Sequence, residues 1–482
     1  MSTDARASRR AARERIARRR FRVSLLAVIL ALAVVVVAGA AASLVQGPRV
    51  SGVTVDAQAA IDSSGSRVII SASQALDDVT ADQVEVTPDA PFTVDAAGRE
   101  VGVRFTTPLD DDTEYRITIA GVRGVGGGPE TTLETAFTTP KASVLVLERG
   151  EGDDVIYRTT LDANAERTEV FAAPEIDDFR SVPGTLVVST REDDGSARLI
   201  RMNDDGTDQA EFALPGSGTI ASLQISERGG RIGYTYTDVP ASPGEAPERE
   251  AQLFTATLRA PADDPVPVEV SGEVPSVVTW QFVPDASAVL LIDFTSELVL
   301  TDPDTDADPG ILGSAIAIDA IARGTFTAVV ERIDSVVWID LATGDEQQIV
   351  EPDPSPGQLG AVLPMPTVAA DGAEGVDTVR QYAVLGDDGI PTAQRVVHVG
   401  ADGEAREVMT VDMPEALLQT CLSPSGRYTA ATVAADLAQN PYDTMTLPMP
   451  GDVETRIVET ATGDEVATLP GFDVSWCAAG PQ

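Results

Sequence analysis

Ala342-Thr343-Gly344-Asp345-Glu346 and Ala461-Thr462-Gly463-Asp464-Glu465 are two copies of one short phrase, and their setting decides the fold. Each follows a β-prone run (Val336 to Asp340; Arg456 to Glu459) and precedes another (Gln348 to Val350; Val466 to Leu469). That pattern marks a hairpin turn in which glycine takes the left-handed conformation without a Cβ clash. Degenerate versions lie around Asp162-Ala163-Asn164-Ala165, Asn203 to Gly206, Ala260 to Asp263, Asp302 to Asp308 and Gly400 to Gly403, making seven turns 38 to 60 residues apart.

A repeat of this length is one supersecondary unit that must stack on its neighbours to bury its faces. Taking strands A to D outward from a central axis, the turns join C to D. B strands start near Ser143, Gly184, Arg231, Ser287, Thr325, Thr378 and Arg427. A strands precede them at 178–182, 221–226, 277–283, 315–320, 362–368 and 417–423, with a last one at 474–478. That last A strand has no B strand after it, while the B strand at Ser143 has no A strand before it. Pairing the two closes a ring and removes both exposed edges. The expectation is an all-β chain with a seven-bladed β-propeller over residues 141–482. On that closure Cys421 and Cys477 lie on inner strands of adjacent blades, and a disulfide between them would latch the seam.

Several A–B junctions, such as Cys421-Leu422-Ser423-Pro424-Ser425-Gly426-Arg427-Tyr428 and Phe282 to Ser287, resemble the turns of TolB-like and WD40-like propeller repeats. That resemblance implies a binding scaffold without fixing its ligand.

Upstream, residues 49–140 read as short strands at 66–71, 83–87, 100–106, 115–120 and 133–138, the spacing of a small β-sandwich. Phe105-Thr106-Thr107-Pro108-Leu109, Thr113 to Ile119 with Gly121-Val122, the turn Gly124 to Gly128 and Phe137-Thr138-Thr139-Pro140 resemble the bacterial Ig-like domains of SbsA-type surface-layer proteins. That resemblance implies a spacer or adhesive module. Gly124 to Gly128 has no helix after it to make a phosphate cradle, so it reads as a turn.

Residues 1–22 hold nine arginines against Asp4 and Glu14, a basic tail of net charge +7 on a chain whose total is −42. The uncharged segment 23–45 follows, with Ser24, Gly39 and Ser43 among Ala, Val, Leu and Ile. Its 23 residues match the ~20 that cross a bilayer as a helix, and the arginines keep the N-terminus cytoplasmic. The expectation is a signal-anchor, single-pass in a bacterial cell membrane, with the C-terminal domains extracytoplasmic. Cleavage after Ala38-Gly39-Ala40 or Ala40-Ala41-Ala42 is the alternative, set against an apolar core longer than a cleavable signal needs. Arg18-Arg19-Arg20-Phe21 matches a twin-arginine signal in part. The acidic remainder repels nucleic acid, and two cysteines with one histidine give no basis for a zinc site.

An enzyme search finds no Gly-x-Ser-x-Gly and no dinucleotide or Walker fingerprint, and His398 stands alone in a strand. Asp302 to Asp308 is rich in oxygens, but Ala307 and Gly313 occupy the positions where a calcium loop needs Gly and Glu. Asp110-Asp111-Asp112 and Asp387-Asp388 are carboxylate runs among many. No cofactor or metal is implied. Long irregular stretches at 238–250, 435–451 and 351–360 all fall on the face shared by the B–C and D–A loops; 369–377 falls on the other. That face is expected to meet a partner, with Arg249, Tyr442, Met445 and Met449 as contact residues. The function expected is a membrane-anchored scaffold that binds an envelope protein or cell-wall component. A propeller hydrolase or lyase acting on envelope glycans or lactones through channel carboxylates is the alternative, and a structural brace for a membrane complex a third reading.

Overall fold

The computed structural model describes residues 22–36, 47–150, 152–162, 165–226, 230–240, 242, 244–284, 286–305, 307–323, 325–366 and 376–481. Residues 22–36 form a helix with exposed side chains; residues 37–45 of the apolar segment and 1–21 of the basic tail lie outside the described residues. Among the described residues no helix is long and apolar enough to cross a membrane.

Seven antiparallel strands between Val50 and Thr138 make two sheets. One holds, in order, Val50–Thr54, Arg67–Ala72, Glu100–Phe105 and Phe92–Ala97; the other holds Val84–Thr87, Glu114–Val122 and Thr131–Thr138. Alternation decides the packing, as in Arg67–Ala72, where every second side chain is buried. Both sheets turn these residues into one core that includes Val68, Ile70, Val103, Ile117 and Ile119. The rings of Phe105, Tyr115 and Phe137 meet in it at centroid distances of 5.8 to 6.4 Å. The Tyr115 hydroxyl accepts the Asp110 amide at 3.0 Å, so the buried phenol spends its polar end on a turn. Two strands, Val50–Thr54 and Phe92–Ala97, and the short helix Ala57–Asp62 escape the sequence reading. Their outward residues are polar or small, and their hydrophobic alternation is broken.

From Ser143 onward the chain forms seven consecutive antiparallel sheets. Six are complete four-stranded blades, with inner strands Ile176–Val182, Gly218–Ile225, Val277–Phe282, Ala317–Ala322, Gln358–Pro364 and Ala416–Leu422. The first sheet has only Ser143–Glu148, Asp154–Thr160 and Thr168–Ala173, and the chain's last segment supplies what it lacks. Leu147 and Phe472 exchange backbone bonds of 3.0 and 2.9 Å, and Ser475 N donates to Leu145 O at 3.0 Å. The closing contact thus falls at 472–475, two residues earlier than the expected 474–478. The inner strand of blade six also starts earlier, at Gln358 in place of Val362, and residues 367–368 of the expected span lie outside the described residues.

Seven apolar clusters fill the clefts between successive sheets. Tyr234 and Phe254 pack on Val187 and Leu199 between blades two and three, for example, and Val379 and Val396 pack on Val433 between six and seven. The seventh cluster joins Val144 and Tyr157 of blade one to Ala430 and Ile457 of blade seven. A cluster between last and first sheet is what distinguishes a wheel from an open stack, so the architecture is a closed β-propeller. Gly344 and Gly463 take φ of 77° and 78°, and their amides donate to Asp340 O and Glu459 O at 2.7 and 2.8 Å, so the two phrases fold as equivalent turns.

Candidate functional site

The inner strands surround a central channel, and nearly all of them are irregular in the same way. Each of the six complete inner strands carries a register shift against its neighbour, between Ile176/Asp178, Ala221/Gln224, Val277/Thr279, Ile318/Ala320, Leu359/Val362 and Leu417/Gln419. A bulge leaves backbone groups without ladder partners, and a buried channel wall cannot leave them unmet. Polar side chains from the preceding blade meet them. Arg180 Nε donates to Leu223 O at 2.9 Å, Gln281 Nε2 donates to Ile318 O at 3.0 Å, and Val362 N donates to Asp319 Oδ2 at 3.0 Å. Gln224 spans the next seam, donating to Trp280 O at 2.5 Å and accepting from Phe282 N at 3.3 Å. Gln419 Nε2 donates to Ala479 O at 3.0 Å. A belt of side-chain bonds therefore runs from blade to blade around the channel.

At the seam between blades one and two the belt is ionic. Arg180 places Nη1 at 2.9 and 2.7 Å from the two oxygens of Asp473, and Nη2 at 3.0 Å from Asp178 Oδ1; all three side chains are buried. Burial and the neighbouring Asp473 push the Asp178 carboxyl well above the usual range, while Arg180 pulls it down. These groups are spent on one another.

Beyond Ser475 the chain turns, with Cys477 N donating to Val474 O at 2.8 Å, and runs back into the channel. Cys421 and Cys477 form a disulfide, Cα atoms 5.4 Å apart. Residues 476–480 form one wall of a cavity of about 420 Å³, whose other walls come from the inner strands of blades three to seven. A smaller space of about 160 Å³ lies toward the B–C/D–A end, between Asp178, Ser222, Thr446 and Pro481. Among the described residues Asp319 is the one carboxylate on the larger cavity. Burial, with a smaller push from Glu331, raises the Asp319 carboxyl to about 7, against the pull of the Val362 amide. Sequence reading missed Asp319, Gln281 and Gln419. The available signal was one polar residue amid apolar neighbours on an inner strand, as in Trp280-Gln281-Phe282.

The two faces of the wheel differ. The sandwich sits on the A–B/C–D face: Asp111 accepts from Ala142 N at 2.9 Å, from Tyr428 Oη at 3.0 Å and from Arg427 Nη1 at 3.2 Å. On the opposite face, exposed apolar side chains gather. Val239, Phe294, Ile333, Leu385, Ile390, Leu437 and Tyr442 stand at B–C ends and Ile316, Val350 and Met413 at D–A turns; among the described A–B and C–D turns Phe326 is the counterpart.

The loop at 435–451 is strapped over blades one and two. Arg149 Nη1 donates to Asp443 Oδ2 and Leu447 O, both at 2.8 Å, and Arg191 Nη1 donates to Thr444 O at 3.0 Å. Within it Tyr442 is exposed and Met445 partly buried. Met449 is 4% exposed and packs between blades one and two, so it holds the loop down and presents no surface. Arg249 is partly covered as well: its Nε bonds Asp238 Oδ2 at 2.9 Å and its guanidinium lies 5.5 Å from the Tyr236 ring centre. The four residues do not converge on one spot. His398 faces Asp377 at 3.2 Å on blade six. Asp302 accepts from Ser287 at 2.8 Å and Asp304 pairs with Arg231, which ties that turn into the blade. Gly127 N donates to Gly124 O at 2.9 Å, the turn expected there. Residues 369–375 lie outside the described residues.

No protein-family model matches the chain, and no curated protein does. Solved structures resemble its fold. They are β-propeller proteins. A putative TolB from Agrobacterium tumefaciens shares 13% identity, covers 71% of this chain and 91% of its own, and has a TM-score of 0.33. The WD40 domain of SCAP from fission yeast shares 10%, with 67% and 83% covered and a TM-score of 0.37. A prolyl endopeptidase shares 12%, with 74% and 48% covered and a TM-score of 0.46. None of the comparisons matches the sandwich to an SbsA-type Ig-like domain, and that resemblance stays with the sequence motifs.

Proposed function

We propose that the chain is a membrane-anchored extracytoplasmic binding protein in a bacterial envelope, whose sandwich is an Ig-like spacer and whose seven-bladed propeller captures a protein partner on its B–C/D–A face. The observation that carries this reading is the apolar rim on that face, turned away from the sandwich. Monomeric proteins seldom leave apolar residues grouped around one face without a use for them. Exposed Glu351, Asp353, Asp387 and Asp388 lie among the rim residues, so the complementary partner presents apolar anchors flanked by Lys or Arg. The anchor is the 23–45 segment, which sets the arginine-rich tail in the cytoplasm.

Capture of partners by the full chain from native membranes, compared with a Phe294→Asp, Ile333→Asp variant, tests the reading. The variant loses a specific partner that a Val266→Asp control, altered on an outer strand, retains. Equal capture by all three removes the rim from the proposal.

A further inference from the structure

We propose that the larger channel cavity is a binding site for a small organic cation, a primary ammonium on an apolar body, held by Asp319. The cavity's volume of about 420 Å³ falls in the range of small-molecule sites. Its chemistry is one-sided. Gln281 and Gln419 aim their Nε2 groups at backbone carbonyls, which fixes their amide orientation and turns their oxygen ends elsewhere. Gln419 Oε1 and Thr420 Oγ1 are buried behind that wall, with no surface open to the cavity. Asp319 gives one oxygen to the Val362 amide and keeps acceptor capacity on the other. Arg323, at the A–B end of the cavity, is already engaged. Among the described lining residues the Asp319 oxygens are the only carboxylate acceptors, so the charge this wall pairs is positive.

Phe282, Ile318 and Leu418 supply apolar surface beside those acceptors. An ammonium entering this site regains from Asp319 the pairing that a desolvated charge requires. An anion would meet the Asp319 carboxylate. The entrance is formed by Pro284, Pro366 and Pro424 at A–B turns. The groups acting on Asp319 are Glu331 across the sheet, which raises its proton affinity, and the Val362 amide, which lowers it; burial outweighs both and brings the carboxyl to about 7. The ammonium needs the ionised form, so binding strengthens as pH rises toward that value and levels off above it.

The test is calorimetric titration of the full chain with 2-phenylethylammonium and with its neutral match 2-phenylethanol. At pH 8 the amine binds saturably and the alcohol binds about tenfold weaker or less. Below pH 7 the amine's affinity falls about tenfold per pH unit. Asp319→Asn, which keeps an acceptor for the Val362 amide, abolishes that pH dependence and weakens the amine to the level of the alcohol. The pH profile of the unaltered protein is the second readout should the Asn variant fold poorly. Absence of saturable amine binding at millimolar concentration, equal binding of the alcohol, or a flat pH profile in the unaltered protein overturns the proposal.

Discussion

Replacing Cys421 and Cys477 together with Ala removes the covalent link across the seam of the wheel. The bond joins residues 56 apart in sequence, and in the chain-entropy treatment a closed loop of that size is worth about 4 kcal/mol. Spread over the unfolding entropy of roughly 340 propeller residues, that loss lowers Tm by about 6 °C. Scanning calorimetry measures the global term. Amide exchange measures the local one at Leu145 and Leu147, whose N–H groups donate to Ser475 Oγ at 3.1 Å and Phe472 O at 3.0 Å. Both should exchange faster in the variant, while Val362 N–H, bonded to Asp319 between blades five and six, stays protected. A variant that melts within about 1 °C of the unaltered protein, with unchanged exchange at Leu145 and Leu147, would refute the reasoning. It would show that backbone pairing and the buried ion cluster close the seam without help.

That ion cluster has its own prediction: Asp473→Asn leaves Arg180 with Asp178 alone in a buried site and costs about 3 kcal/mol in urea unfolding. The two equivalent turns should respond unequally to alanine. Both Gly344→Ala and Gly463→Ala force a side chain into φ > 0, at about 1 kcal/mol. At Gly463 the new Cβ would also come 2.7 Å from Val408 O, against 3.5 Å from a flexible Leu312 methyl at Gly344, so Gly463→Ala lowers Tm more. For pH, Asp319 has a folded value of about 7, above its ordinary 3.8, so the folded state holds the proton more tightly. Its contribution is greatest below pH 4 and is lost as pH rises from 4 to 7, a few kcal/mol in all; Asp319→Asn removes that slope from the stability profile.

The wheel was legible because its turns carry their own chemistry. A glycine needing φ > 0 and flanked by Asp and Thr announces a hairpin without long-range information, and B strands begin within two residues of their expected starts at Ser143, Arg231, Thr378 and Arg427. Inner strands were less exact at Gln358 and Phe472, where a bulge or a short pairing replaces regular alternation. The channel was legible only as single polar residues amid apolar neighbours on inner strands. Asp319 and Gln419 act through bulged backbone on the next blade, and no local pattern tells which neighbour a side chain will reach. Met449 shows the converse error, since an apolar residue in a Pro-rich loop reads as surface until Arg149 and Arg191 fold the loop onto blades one and two. The reading of residues 23–45 as an anchor rests on hydropathy and flanking charge alone.

Blade one is assembled from Ser143–Ala173 and from Phe472–Ser475, stretches separated by six whole blades. During synthesis the earlier piece must therefore wait, with the inner edge of Ser143–Glu148 unpaired, until everything between has been made. Any interruption leaves a bare edge ready to pair with another incomplete copy, so the hazard in making this protein is concentrated in residues 472–475.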